Sequence, residues 1–212
     1  MHDSGYRQQT PADKGHSGGN ASAIANIVQH FERFLGPITG GWSMDPDGER
    51  MHTQILQFQA SSLDGVVAYS TLGLARHELI SPSSGKPIRL ELLMMVRRGD
   101  FERFVPSLLQ QLADESIQEG RALLRGEAIG PRGMLDANTG LAALYVCAPV
   151  YQPDEFSICH DPDGPIVVAW LIPLFPEEAN FALTHGWEAL EDLLVEHDPD
   201  LSDWHRDPLP VH

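Results

Sequence analysis

The sequence predicts an α+β fold, with a largely antiparallel β-sheet flanked by helices in a single domain. Three observations predict it. Residues Pro165 to Leu174 form a nearly continuous apolar run, rich in β-branched residues and bounded by Gly164 and by Pro173 and Pro176, as a strand buried on both faces requires. Two stretches, Ser22–Leu35 and Pro106–Gln118, carry apolar residues at a spacing of 3.6 and read as amphipathic helices that cover that strand. Between them lie strand-like segments joined by short turn sequences, the signature of an antiparallel meander.

Residues 1–21 mix Gly, Ser, Gln, His and Pro with almost no apolar side chains and are expected to be disordered. The domain proper is expected over 22–200, followed by a polar tail over 201–212. Ser22 is the candidate cap of the first helix, whose stripe is Ile24, Ile27, Val28, Phe31, Phe34 and Leu35, and Gly36-Pro37 ends it. The segment from Ile38 to His52 is rich in turn residues, and Gly40-Gly41 within it reads as a turn. Strands are expected at Thr53–Gln59, which alternates apolar and polar, and at the more apolar Val66–Leu74 and Ile88–Arg97. Leu63-Asp64-Gly65 and Pro82-Ser83-Ser84-Gly85 supply the intervening turns.

Pro106 starts a helix that buries Leu108, Leu109, Leu112 and Ile117 and ends near Gly120. The stretch Arg121–Ile129 is either the end of that helix or a short strand, with Gly126 marking a break before Glu127. Strands follow at Leu141–Pro149, Glu155–His160 and Pro165–Leu174. Asp161-Pro162-Asp163-Gly164 joins the last two with type I turn chemistry, so they form a hairpin. Pro176 opens a short helix with Glu177 and Glu178 at its positive end, and Gly186 closes it. A second helix sets Trp187, Leu190, Leu193 and Leu194 on one face and Glu188, Glu191 and Asp192 on the other.

The chain has 212 residues, 42% hydrophobic and 21% charged, enough for one domain that buries about 70% of its unfolded surface. Its net charge of −16 argues against nucleic acid or an anionic membrane as partner, since either would repel it. The charge suits solubility, or a basic protein or peptide as partner. From Phe175 to His212 ten acids face the single Arg206, so this segment holds −9 of the total. The N-terminus shows no apolar signal region and no apolar run reaches the ~20 residues of a membrane helix, so a cytoplasmic protein is expected. The two cysteines, Cys147 and Cys159, fall in apolar strands and read as reduced core thiols.

Catalytic and metal motifs are wanting. The paired Asp-Pro-Asp-Gly sequences at 45–48 and 161–164 lack the further ligands and distal Glu of a calcium loop and read as turns. The histidines form no zinc-binding spacing, and neither a nucleophile elbow, a phosphate loop nor a dinucleotide fingerprint occurs. No cofactor or metal is expected. The alternative is a hydrolase of unrecognised type, using His77 with Glu78 or a cysteine thiol. A lone His–acid neighbour pair is rarely catalytic, and burial would raise a thiol pKa and blunt it.

Three stretches carry a family resemblance: Val67-Ala-Tyr-Ser-Thr-Leu-Gly-Leu-Ala-Arg-His-Glu-Leu79, the strand Ile88-Arg-Leu-Glu-Leu-Leu-Met-Met-Val96, and Gly164–Glu196. In order and spacing, over about residues 22–200, the chain resembles the Suppressor of fused domain. The resemblance implies a mixed sheet flanked by helices, no catalytic apparatus, and a protein-binding role. The animal member clamps an extended peptide of a transcription factor between this domain and a second lobe, for which this chain ends too early. Short bacterial members are immunity-like proteins that accompany secreted toxins, so a toxin domain is one expected class of partner. The family's peptide-contact positions fall on Glu115, Leu123 and Glu127. Glu115 and Leu123 replace aromatics, so the same peptide is not expected. Together with Glu188, Glu191 and Asp192 on the acidic helix, these are the candidate partner-binding residues.

Overall fold

A computed structural model of the chain describes residues 17–44, 50–60, 62–131, 134, 135 and 138–211. Of the stretch 1–21 expected to be disordered, residues 1–16 lie outside the described residues, as does the turn at 45–48, whereas 17–21 are helical. The first helix, α1 (Ser17–Leu35), begins five residues before Ser22, because its opening residues, Ser17 to Ala21, carry no long apolar side chain that could register in the stripe. Strands β1 (Ile38–Met44), β2 (Arg50–Phe58), β3 (Val66–Leu72), β4 (Leu79–Ile80) and β5 (Pro87–Arg97) follow, then helix α2 (Val105–Glu119). Next come β6 (Ala128–Ile129), β7 (Ala143–Cys147), β8 (Ile158–Cys159) and β9 (Ile166–Leu174), and finally helices α3 (Pro176–His185) and α4 (Trp187–His197).

The strands form one mixed sheet in the order β1-β2-β3-β5-β9-β7-β6, with β4 beside β5 and β8 beside β9. All pairings are antiparallel except β5 with β9, where Arg89 faces Ile166 and Leu93 faces Trp170 in parallel register. The apolar run therefore lies at the centre of the sheet, between β5 and β7. Ile166, Val168, Trp170 and Ile172 are all at most 2% exposed. They point to the layer built from Ile27, Phe31 and Leu35 of α1, Ala179 and Ala182 of α3, and Leu190 of α4. Ala169 and Leu171 point to the opposite layer, where Leu108, Leu109 and Leu112 of α2 pack. The period of two along β9 thus feeds two cores.

Three expectations change. Of the expected strand Glu155–His160 only Ile158–Cys159 is strand, because Asp154–Ser157 forms a 3-10 turn before it. Gly40-Gly41 is not a turn but the middle of edge strand β1, paired with Gln57 and Leu56. A Cβ at Gly40 would meet Gln57 Oε1 at 2.8 Å, so the glycines let β1 approach β2 closely. The stretch 121–129 resolves as two pieces: α2 ends at Gly120, left-handed with φ 60°, and only Ala128–Ile129 is strand. The segment 201–211 has no helix or strand, yet Leu201, Trp204 and Leu209 are buried.

The turn between β8 and β9 closes as expected, with Gly164 N–H donating to Asp161 O at 2.9 Å. The Asp161 side chain is fully buried and accepts from Arg89 at 2.9 Å, Asn26 at 3.2 Å and the Asp163 N–H at 3.1 Å. It clips α1 and β5 to the turn. Burial opposes its ionisation, but these donors prevail and hold the carboxyl below its ordinary value of 3.8. A depressed folded pKa gives stability that is complete above the unfolded value and is lost as pH falls through the folded one. Asp161→Asn is therefore expected to destabilise the protein by about 1.5–3 kcal/mol at pH 7. Its deficit against the parent should shrink as urea melts are moved below about pH 4. A deficit that stays constant down to acid unfolding would contradict this.

Candidate functional site

The chain leaving α2 builds a small concavity. After Gly120, Ile80 N–H donates to Gly120 O at 2.8 Å and Ala122 N–H to Ile80 O at 3.0 Å, tying the segment to β4. Gly126 (φ 95°) then lets the backbone pass beneath α4, where a Cβ would stand 2.7 Å from Trp187 Cγ. The result is a cavity of about 290 Å³ whose lining includes Glu115, Leu123 and Glu127. The fold brings these three predicted positions together.

Their states differ. Leu123 is buried. Glu115 is half-buried and accepts from Gln111 at 3.0 Å. Glu127 is engaged within the fold, accepting from Arg121 at 2.5 Å and from the Leu124 N–H at 2.9 Å. Its carboxylate shapes the loop and is not a free charge.

On α4, Glu188 and Asp192 are exposed as expected, but Glu191 is not. Four residues after Trp187, it sits one turn along the same side of the helix and points inward. There it accepts from Tyr145 Oη at 2.9 Å and from both forks of Arg125, which also stacks 5.1 Å from the Trp187 ring. Burial opposes ionisation of Glu191, yet the Arg125 and Tyr145 hydrogen bonds outweigh it and hold its pKa below the ordinary value. Arg125 lies between Leu123 and Glu127, so the two predicted groups meet through this contact.

The residues of the hydrolase alternative do not converge. His77 is half-buried, its pKa lowered by burial and then by His52 and Arg76, and it closes a short 3-10 turn. Glu78 beside it is exposed. Burial, ahead of neighbouring Glu191, raises the Cys147 thiol, and burial, ahead of Asp161, raises Cys159. Among the described residues no group of three or more His, Cys, Asp and Glu could hold a metal ion, and no helix is long and apolar enough to cross a membrane.

A larger groove, about 1010 Å³, opens on the other side of α2, against β1, β2 and β3. Trp42, Met44 and Tyr69 contribute from the sheet, and Pro106, Gln110 and Asp114 from one four-residue row of α2. Sequence reasoning missed it, because β1 read as a turn and Trp42 therefore had no place on a sheet. The signal was present in the uncharged run Ile-Thr-Gly-Gly-Trp-Ser-Met.

Comparison with known proteins places this architecture. A search of curated proteins finds the "Immunity protein YqcF" of Bacillus subtilis (strain 168), 22% identical over 162 residues, 76% of this chain and 83% of that protein. Among solved structures, a SUFU homolog from Neisseria gonorrhoeae FA 1090 superposes with a TM-score of 0.68 at 17% identity, over 89% of this chain and 97% of that one. The Sufu–Fu complex gives 0.64 at 14% identity, over 89% and 91%. Drosophila Suppressor of Fused gives 0.63 at 14%, with 89% of this chain spanning 50% of that one. These likenesses show a shared fold. The family profile described as Suppressor of fused protein (SUFU) matches residues 49–207, three quarters of the sequence, and the chain belongs to that family.

Proposed function

We propose that this protein acts by binding, without catalysis, and that it masks a basic partner polypeptide as an immunity-like or regulatory protein. A toxin domain is the partner class that the likeness to an immunity protein supports. The observation that carries the reading is the net charge of −16 on a fold whose solved relatives include a complex with Fu. Exposed Glu188 and Asp192 on α4, and the cavity flanked by Glu115, Leu123 and Glu127, are the surfaces we assign to the partner. The hydrolase alternative has no comparable support.

Opposed net charges act chiefly on the association rate. The test is to identify the partner by co-purification from the native host and to follow binding by stopped flow. The association rate should fall about tenfold or more as salt shortens the Debye length from ~10 Å to ~3 Å. Glu188→Lys with Asp192→Lys should slow it further while leaving the thermal melt unchanged, since both side chains are exposed. Glu191→Lys is unsuited to this test, because it would break the Arg125 and Tyr145 contacts. Recovery of an acidic partner, or an association rate indifferent to salt and to the double reversal, would overturn the reading.

A further inference from the structure

We propose that the groove between α2 and the β1–β3 end of the sheet is a receptor for an arginine side chain on a cationic segment of the partner. This rests on the reading that the partner is basic, and it adds a place and a side-chain preference.

Four observations support it. First, Trp42 is 38% exposed and Met44 57% exposed, on an edge strand that carries no charge over its whole length. Native edge strands are usually protected by charge, proline or cover, and here two exposed apolar side chains line one groove, the kind of grouping that binding surfaces show. Second, the lining carries Glu102, Asp114 and Glu115 against the single guanidinium of Arg103 among the described residues, so it complements a cation. Third, Gln110 donates its amide to Asp114 Oδ2 at 2.9 Å, which fixes the Asp114 carboxylate on the α2 wall of the groove.

Fourth, the protein builds the matching arrangement within itself. Arg125 lies over Trp187 at 5.1 Å while Glu191 holds its guanidinium. The groove presents an indole and carboxylates, and among the described residues no arginine lies over the Trp42 ring. A guanidinium stacks flat on an indole and still directs its forked N–H groups to acceptors at its edge. A lysine ammonium is a compact point charge and cannot do both.

The experiment uses the full chain and two labelled peptides, hexa-arginine and hexa-lysine, read by fluorescence anisotropy at fixed ionic strength. Hexa-arginine should bind the parent about tenfold more tightly than hexa-lysine. Trp42→Ala and Asp114→Asn should each remove most of that preference, and Trp42→Phe should keep part of it. Hexa-lysine binding, which senses only net charge, should change less than about twofold in the Trp42 variants. Glu188→Lys with Asp192→Lys should weaken both peptides alike. Thermal melts confirm that each variant is folded, and Trp42→Phe serves as the comparison should Trp42→Ala prove unstable. Equal affinity of the parent for the two peptides, or a hexa-arginine affinity unmoved by Trp42→Ala and Asp114→Asn, overturns the proposal. A native basic partner whose dissociation is unchanged in both variants also overturns it, while leaving the basic-partner reading intact. A native partner that proves acidic, beside a Trp42-dependent arginine preference, removes that reading and leaves the arginine site standing.

Discussion

Replacing Arg206 with methionine is expected to cost the protein about 3–5 kcal/mol and to lower its Tm by about 6–20 °C. Arg206 is the one Lys or Arg beside the ten acids of the last 38 residues, and it does not serve the surface. Its side chain is 6% exposed and faces a Glu178 that is fully buried, with guanidinium–carboxylate distances of 2.7 and 2.6 Å. Glu178 also accepts the Phe175 N–H at 3.0 Å and the Leu209 N–H at 2.8 Å, so one carboxylate joins the start of α3 to the C-terminal segment. Arg206 in turn lies over the Phe175 ring at 5.2 Å. Removing the arginine leaves an uncompensated charge among apolar neighbours, the costly way to break a buried pair. The double variant Glu178→Met/Arg206→Met should recover part of the loss, and urea melts of the four proteins give the coupling directly. Additive losses, or a single variant within 1 kcal/mol, roughly, of the parent, would show that the pair is not coupled as described.

Glu91→Ala is expected to be comparably damaging, at about 4 kcal/mol, from a site that holds no ion pair among the described residues. Glu91 lies in the middle of β5, is 1% exposed, and collects four hydrogen bonds. These come from the Thr71 hydroxyl at 2.6 Å and the N–H groups of Gly73 at 2.9 Å, Leu74 at 3.3 Å and Ala75 at 3.1 Å. The three amides begin the 3-10 turn after β3, which Gly73 enters with φ 110°, and such converging N–H groups form an anion nest. Burial pushes the Glu91 carboxyl up, and the four donors oppose that shift. Each buried donor left unmet costs about 1–3 kcal/mol, less than additively. Glu91→Gln should fall between parent and alanine variant, because its oxygen keeps some acceptors while its NH2 group confronts the remaining donors. Hydrogen exchange at Gly73 to Ala75 should accelerate in both variants. Unchanged protection there would refute the anchoring role.

Apolar patterning made the architecture legible. The unbroken run at 165–174 has no polar alternation, and its length, β-branched residues and flanking Gly and Pro mark it as a buried strand. It lies inside the sheet, with Val167 alone among its strand residues exposed. The helical stripes of α1 and α2 mark the two covers. What patterning could not show was the behaviour of polar groups. The charge of Glu191 assigns it to solvent, although its spacing from Trp187 puts it on the inward side. Glu178 read as a complement to the helix dipole, but its partner lies 28 residues away, and sequence spacing carries no information about such a contact. Glu91 did leave a trace, as the one acid inside Ile-Arg-Leu-Glu-Leu-Leu-Met-Met-Val. The cavity of Glu115, Leu123 and Glu127 was reached through family resemblance, and the groove at Trp42 through neither route, because it joins an edge strand to a helix more than 60 residues later in the chain.

The parallel pairing of β5 with β9 has a consequence for how the molecule comes into being. The meander β1-β2-β3-β5 can close from neighbouring segments, but the inner edge of β5 waits for a strand that starts at Ile166. When β9 arrives it must enter between β5 and β7, not extend a finished border. Pairings between distant segments delay folding, because loop closure precedes any reward from contact. During synthesis, at about 5–20 residues per second, the Leu-Leu-Met-Met edge of β5 is uncovered for several seconds. That interval is when a nascent chain of this topology is most exposed to sticking to its neighbours or to capture by chaperones, and changes that slow the appearance of residues 166–174 should lower yield without altering the stability of the finished protein.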